Sequence, residues 1–249
     1  MFFTRLRRGS RWVFIAVIFA FAFTFLFAGV GSGGSGGDII QELLGMRGGS
    51  DPVKSAEKAV AKTPHNAGAL DRLAQAYAAK QRRSDAIKTY ERYLTIKPKD
   101  ASVLLQLGLL QRDTTTLRWE RYAGLQSKLT LASGPFASNP LQTLVGIDSL
   151  TSAYTNLLTT KVSSAYGSYT SAATGWESTE KRYLATVPAS NALQRAQIEL
   201  DLGQAAASAG HYPTAINSYE TFLRLTPKDS RAAQVKKALV QLRKANSSR

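Results

Sequence analysis

A stretch of this chain occurs twice. Asn66 to Asp100, NAGALDRLAQAYAAKQRRSDAIKTYERYLTIKPKD, reads as two short amphipathic helices closed by a proline, and its second half returns as TAINSYETFLRLTPKD from Thr214 to Asp229. Ala86-Ile87 match Ala215-Ile216, Tyr90-Glu91 match Tyr219-Glu220, and Pro98-Lys99-Asp100 match Pro227-Lys228-Asp229. An internal repeat restricts the fold to stacked units, none of which buries its apolar face alone. A partial copy comes first. Asp51 to Pro64 aligns with the second helix of the repeat at an offset of 34 residues, with Val53 under Ile87, Ala56 under Tyr90, Val60 under Leu94 and Pro64 under Pro98. Asp51-Pro52 puts Asp at an N-cap and Pro at the first helical position, so Asp51 to Thr63 reads as a half-repeat.

Within Asn66–Asp100, Leu70, Leu73, Ala74 and Tyr77 fall at i, i+3, i+4 and i+7, one face of a helix. Lys80 to Arg83 is a polar turn. Ser84 caps a second helix with the apolar face Ala86, Ile87, Tyr90, Tyr93 and Leu94, Pro98 ends it, and Asp100 caps the next. The order Leu70, Leu73-Ala74, Tyr77, Ala86, Tyr90, Tyr93, Pro98 resembles the tetratricopeptide repeat (TPR), a 34-residue helix-turn-helix unit, with Ala74 where Gly is usual and Tyr93 where Ala is usual. A second full unit covers Arg195 to Asp229. Ser190 or Asn191 caps its first helix, which holds Leu193, Ile198, Leu202-Gly203 and Ala206. Gly210 to Pro213 is its turn. Asp229 caps a last helix, Ser230 to Ala245, of the kind that shields the end of a solenoid.

The resemblance implies an all-α solenoid that binds protein through the concave surface of its inner helices. By helical phase Asp71, Gln75, Leu105, Leu109, Arg112, Leu200 and Gln204 project there, and they form the candidate protein-binding surface. Asp100 to Arg112 starts a third unit with Leu104, Leu107 and Gly108 in place, yet Val103, Leu105, Leu109 and Leu110 make it apolar nearly all round. Such a helix implies burial on more than one side: Leu105 and Leu109 either form an apolar binding surface or are covered by another part of the chain, and the cover is the expected outcome.

No proline falls 34 residues after Pro98, and the repeat is interrupted over residues 114–188. Thr114 to Leu131 reads as a helix with Trp119 and Tyr122, Ser133 to Asn139 as a loop, and Asp148 to Val187 as one long helix, with Gly167 and Gly175 as candidate kinks. Its last two turns take the place of a repeat's second helix, closed by Pro188. The Ser/Thr/Tyr-rich face from Ser149 to Thr179 reads as a moderately hydrophilic packing face or as a polar ligand stripe.

The N-terminus carries a different signal. Arg5, Arg7, Arg8 and Arg11 precede Trp12 to Val30, a run of 19 residues without a charge. At 1.5 Å per residue it spans ~28 Å, close to the thickness of a bilayer core. The arginines place residues 1–11 in the cytoplasm and the remainder outside it. A cleaved signal peptide is the alternative, although the run is longer than a typical signal core. Gly31 to Gly37, GSGGSGG, is a flexible tether within residues 31–50, and Asp38 to Met46 is a short amphipathic helix in it.

Catalytic chemistry finds no support. There is no Cys, and His65 and His211 lie in turns without metal-ligand spacing. No phosphate loop, nucleophile elbow or zinc-protease motif is present, and Asp148, Glu177 and Glu180 read as a helix cap and ordinary surface acids. No catalytic residue, cofactor or metal is expected. The formal net charge is +15, and the basic last helix suits weak contact with anionic lipid or wall polymer. Nucleic acid is disfavoured by the extracytoplasmic placement. The expectation is a single-pass, membrane-anchored adaptor of bacterial type that binds a protein partner in envelope-complex assembly. The alternatives are a self-associating structural protein and an accessory subunit of an envelope enzyme system.

Overall fold

A computed structural model describes residues 51–133 and 147–248, with side chains in the second segment from Leu150 onward. The apolar run 12–30, the tether 31–50 with the short helix expected in it, and all but the first residue of the loop expected over Ser133 to Asn139 lie outside the described residues. Among the described residues there are eight helices and no strand, and no helix is long and apolar enough to cross a membrane.

The first three helices follow from their caps. Helix α1, Pro52–Lys62, starts at Asp51, whose carboxylate accepts from the Val53 N–H at 3.2 Å. Helix α2, Ala67–Ala79, starts at Asn66, which accepts from the Ala69 N–H at 3.1 Å. Helix α3, Arg83–Ile96, departs from expectation: Ser84 is not its cap. The cap position is Arg82, which makes no side-chain capping bond. The backbone does the work instead. Gln81 adopts φ 60°, so that its own N–H donates to Ala78 O at 3.0 Å and the Arg82 N–H to Tyr77 O at 2.8 Å. The later repeat closes in the same way: Gly210 has φ 82°, its N–H donates to Ala207 O at 3.1 Å, and the His211 N–H to Ala206 O at 2.8 Å. A left-handed residue at this point suits glycine and strains glutamine. Gln81→Gly is therefore expected to stabilise the fold by about 0.5–1 kcal/mol and Gly210→Ala to destabilise it by at least as much, both read from urea melts.

Helix α4, Ala101–Ala132, begins where Asp100 accepts from the Ser102 and Val103 N–H groups. It does not stop at Arg112. It runs 32 residues without a break, so the helix expected over Thr114 to Leu131 is present as the continuation of the one that Asp100 caps. The run of threonines that follows Asp113 is accommodated because Thr114, Thr115 and Thr116 each donate to the carbonyl four residues earlier, at 2.7, 2.8 and 3.1 Å. Helix α5, Ile147–Leu184, is 38 residues long and continuous through Gly167 and Gly175. Its threonines behave alike: Thr155, Thr159, Thr160, Thr170 and Thr174 all bond back to the carbonyl one turn earlier. That accounts for much of the hydroxyl-rich face without a ligand.

Helices α4 and α5 pack on one another as an antiparallel pair. The third repeat is thus present, with both of its helices lengthened. The interruption is an arm, held by rings of Trp119, Tyr122, Tyr166 and Tyr169 with centroids 5.2–5.4 Å apart along the chain of contacts, and by Arg118 Nη1 donating to Ser168 O at 2.8 Å. Helix α6, Ala192–Ala209, is capped by Asn191, and α7, Tyr212–Leu225, carries Pro213 in its first turn. Helix α8, Ala232–Ser247, starts later than Asp229 implies. Asp229 instead receives the Arg231 N–H at 2.8 Å and the Arg231 side chain, which shapes the turn before the helix. One core cluster links Val60, Leu70, Tyr90, Leu104, Tyr183 and Ile198, and a second links Leu200, Tyr219, Phe222, Val235 and Leu239.

Candidate functional site

The closing prolines Pro98, Pro188 and Pro227 give three repeats a common ruler. Five residues before each stand Tyr93, Tyr183 and Phe222, all buried. Eight residues before stand Tyr90, Glu180 and Tyr219; twelve before stand Ala86, Trp176 and Ala215. Two repeats therefore place a tyrosine and an alanine where the third places a carboxylate and an indole. Their surroundings agree. The Tyr219 ring covers Gly203 so closely that a Cβ there would meet it at 2.5 Å, and Glu180 covers Gly108 the same way, 2.6 Å from a Cβ at that glycine.

Glu180 is 6% exposed. Its Oε1 accepts from Trp176 Nε1 at 2.9 Å. Burial pushes its carboxyl up to about 7, the Trp176 bond opposing and the negative charge of Asp201 adding to the rise. Glu177, one helix position from Trp176, is 3% exposed and differently served: it accepts from Lys181 Nζ at 2.6 Å and meets His211 Nδ1 at 2.5 Å. Burial would raise its carboxyl, but Lys181 and His211 together hold it below the usual range. Neither acid is a surface acid. The Glu177–His211 contact ties α5 to the turn before α7 and gives His211 a structural role.

Helices α4, α5 and α6 enclose a cavity of about 80 Å³ bordered by Leu105, Leu109 and Arg112, by Trp176, Glu180 and Tyr183, and by Ile198 and Asp201. Burial raises the Asp201 carboxyl, although Gln197 Nε2 donates to it at 3.0 Å. Past Arg112 the groove widens into a concavity of about 370 Å³ along Thr116, Trp119, Tyr169 and Gln204.

Four of the seven expected surface residues meet here: Leu105, Leu109 and Arg112 at the small cavity, and Arg112 and Gln204 at the wide one. The expected cover over Leu105 and Leu109 is absent among the described residues. They stay 44% and 43% exposed, because α5 packs on the Gly108 side of α4. Asp71 and Gln75 lie on α2, border neither cavity, and pair with each other at 3.0 Å. Burial raises the Asp71 carboxyl, against the Gln75 bond, and its Oδ1 is buried without a partner among the described residues. Leu200 is not on the groove. It is 4% exposed and packs with Tyr219, Phe222 and Val235, since α8 closes over the α6 face that Leu105 leaves open on α4. Trp176, Glu180 and Asp201 are the groove residues that sequence reasoning missed, and counting back from Pro188 was the signal available for the first two.

The family model for the tetratricopeptide repeat matches residues 40–101 and 200–246. This supports a tetratricopeptide repeat protein. No curated protein matches the chain. The arm helices α4 and α5 fall in the unmatched stretch, where Gly108 faces a residue eight positions before a closing proline, as Gly203 does in the matched repeat. TPR domains generally bind protein partners.

Proposed function

We propose that this chain is a non-catalytic adaptor, tethered to a membrane by residues 12–30, that holds a protein partner in the α4–α5–α6 groove on the extracytoplasmic side. Its place is in the assembly of an envelope complex. The observation that carries the reading is the groove itself: two leucines nearly half exposed on a TPR inner helix, beside a cavity with buried acids. Apolar side chains left open in a concave surface suit a partner. The arginine cluster before the uncharged run supports the orientation. The exposed lysines of α8 suit a weak, salt-screened contact with anionic lipid or wall polymer.

The test uses the full chain in its own membranes, with a photoreactive residue at position 109 or, as control, at position 240 on α8, where Val240 is 67% exposed. A discrete adduct from position 109, absent from position 240 and lost with Leu105→Asp, is expected. Equal adducts from both positions, or none from 109, would sink the adaptor reading. Because the chain has no cysteine, a Ser248→Cys variant reports topology in the same cells. Labelling by a membrane-impermeant maleimide is expected, and protection would overturn the extracytoplasmic placement.

A further inference from the structure

We infer that the small cavity at the junction of α4, α5 and α6 receives the ammonium group of a lysine side chain carried by the partner. The inference rests on the adaptor reading and adds the chemistry of what is bound. Glu180 is more than nine-tenths buried and borders the cavity. Only one of its oxygens is used: Oε1 accepts from Trp176, while Oε2 accepts from no described residue. Asp201 borders the same space with Oδ2 bonded to Gln197 and Oδ1 without a donor among the described residues. Tyr183 accepts from Gln194 Nε2 at 2.9 Å and keeps a second lone pair. Three acceptors with spare capacity match the three donors of an ammonium group.

The charge balance agrees. Arg112 stands at the mouth, pairs with Asp113 at 3.9 Å, and acts on both carboxyls of the cavity through its charge without coming within ion-pair distance of either. Above pH 7, where Glu180 has lost its proton, the two acids of the lining outweigh the one guanidinium that borders it, with Arg231 acting on Asp201 from outside the lining, in a chain where Lys and Arg outnumber Asp and Glu 32 to 17. No lysine of the described chain reaches in. The walls agree as well. Leu105, Leu109 and Ile198 offer an aliphatic path that fits a methylene stem, the part of a lysine that lies on apolar surface while its head finds charge. A cavity of about 80 Å³ has room for the ammonium and the methylenes behind it. The substitution of Glu180 for the tyrosine of the neighbouring repeats is what opens the site: a ring there would leave no carboxylate to meet the ligand.

The experiment probes immobilised 12-residue peptides, random except for one fixed central residue, with the full-length protein in detergent micelles. Peptides with fixed Lys are expected to bind at least tenfold more strongly than those with fixed Met or Glu. Glu180→Gln, which keeps the acceptor for Trp176, is expected to abolish that preference while residual binding through the apolar walls remains. Asp201→Asn is expected to weaken the preference and decides the matter if the first variant does not fold. A preference for any residue other than lysine, or a lysine preference intact in the variants, overturns this inference and leaves the adaptor reading standing. Failure of every peptide set to bind overturns both.

Discussion

Glu180→Gln is expected to make the protein more stable, and only above about pH 5. The unperturbed carboxyl loses its proton near 4.5 in the unfolded chain, whereas in the folded chain it holds on until about 7. Between those values the folded state binds more protons than the unfolded one, so native stability falls as pH rises and the full loss is present above 7. A rise of this size corresponds to about 3 kcal/mol at ~1.4 kcal/mol per pKa unit, and water reaching the cavity will reduce it toward ~1–2 kcal/mol. Glutamine cannot ionise and lacks that slope. Urea melts of both proteins from pH 4 to pH 8.5 should therefore coincide at the acid end and separate by roughly 1–3 kcal/mol at the alkaline end. Glu177 does not confuse the comparison. Its carboxyl is held low, so its contribution is present above 4.5 and lost only as pH falls further. Asp201 is raised, but it remains in both proteins and its slope cancels to first order. A constant difference across the range would show that the Glu180 carboxyl loses its proton at the same pH in the folded and unfolded chain and that its burial does not disfavour the charge. A carboxylate kept where it lowers stability at neutral pH is consistent with selection for binding rather than for folding.

What the sequence made legible, and what it hid, divides along physical lines. Side-chain caps are local chemistry, and Asp51, Asp100 and Asn191 act as their residue types suggest. The start of α3 was misread because the turn before it is closed by backbone bonds around a left-handed Gln81, a conformation that glutamine does not advertise. The continuity of α4 was not legible because a run of threonines normally weakens a helix, and their bonds back to the preceding turn appear only once the helix exists. At the groove, Leu105 and Leu109 were legible as apolar residues beyond what one buried face requires. Leu200 occupies the same helical phase, and only the tertiary position of α8 separates it from them. Glu180 was set aside because an acid on a helix nearly always faces water. The repeat ruler overrides that expectation: a position filled by Tyr90 and Tyr219 is an inner position whatever residue stands there.

The ruler also makes a stronger claim, that Trp176 and Glu180 are one exchanged pair. Trp176 is 4% exposed and stands where Ala86 and Ala215 are fully buried. Trp176→Ala removes a buried indole that borders both cavities and deprives Glu180 of its one hydrogen bond among the described residues, so it is expected to cost about 2–4 kcal/mol. If the exchange is real, a second substitution should repair the first. Glu180→Tyr in the Trp176→Ala background rebuilds the alanine and tyrosine of the flanking repeats over Gly108, a residue as small as the Gly203 that Tyr219 covers. The double variant is expected to recover at least half of the lost stability in urea melts, whereas Glu180→Tyr alone, crowded by the intact indole, should be destabilised by about 1–3 kcal/mol. The two changes are thus far from additive, as residues that share one space must be. Additive losses would mean that the third repeat has diverged in backbone as well as in sequence, and that its likeness to the others ends at the proline.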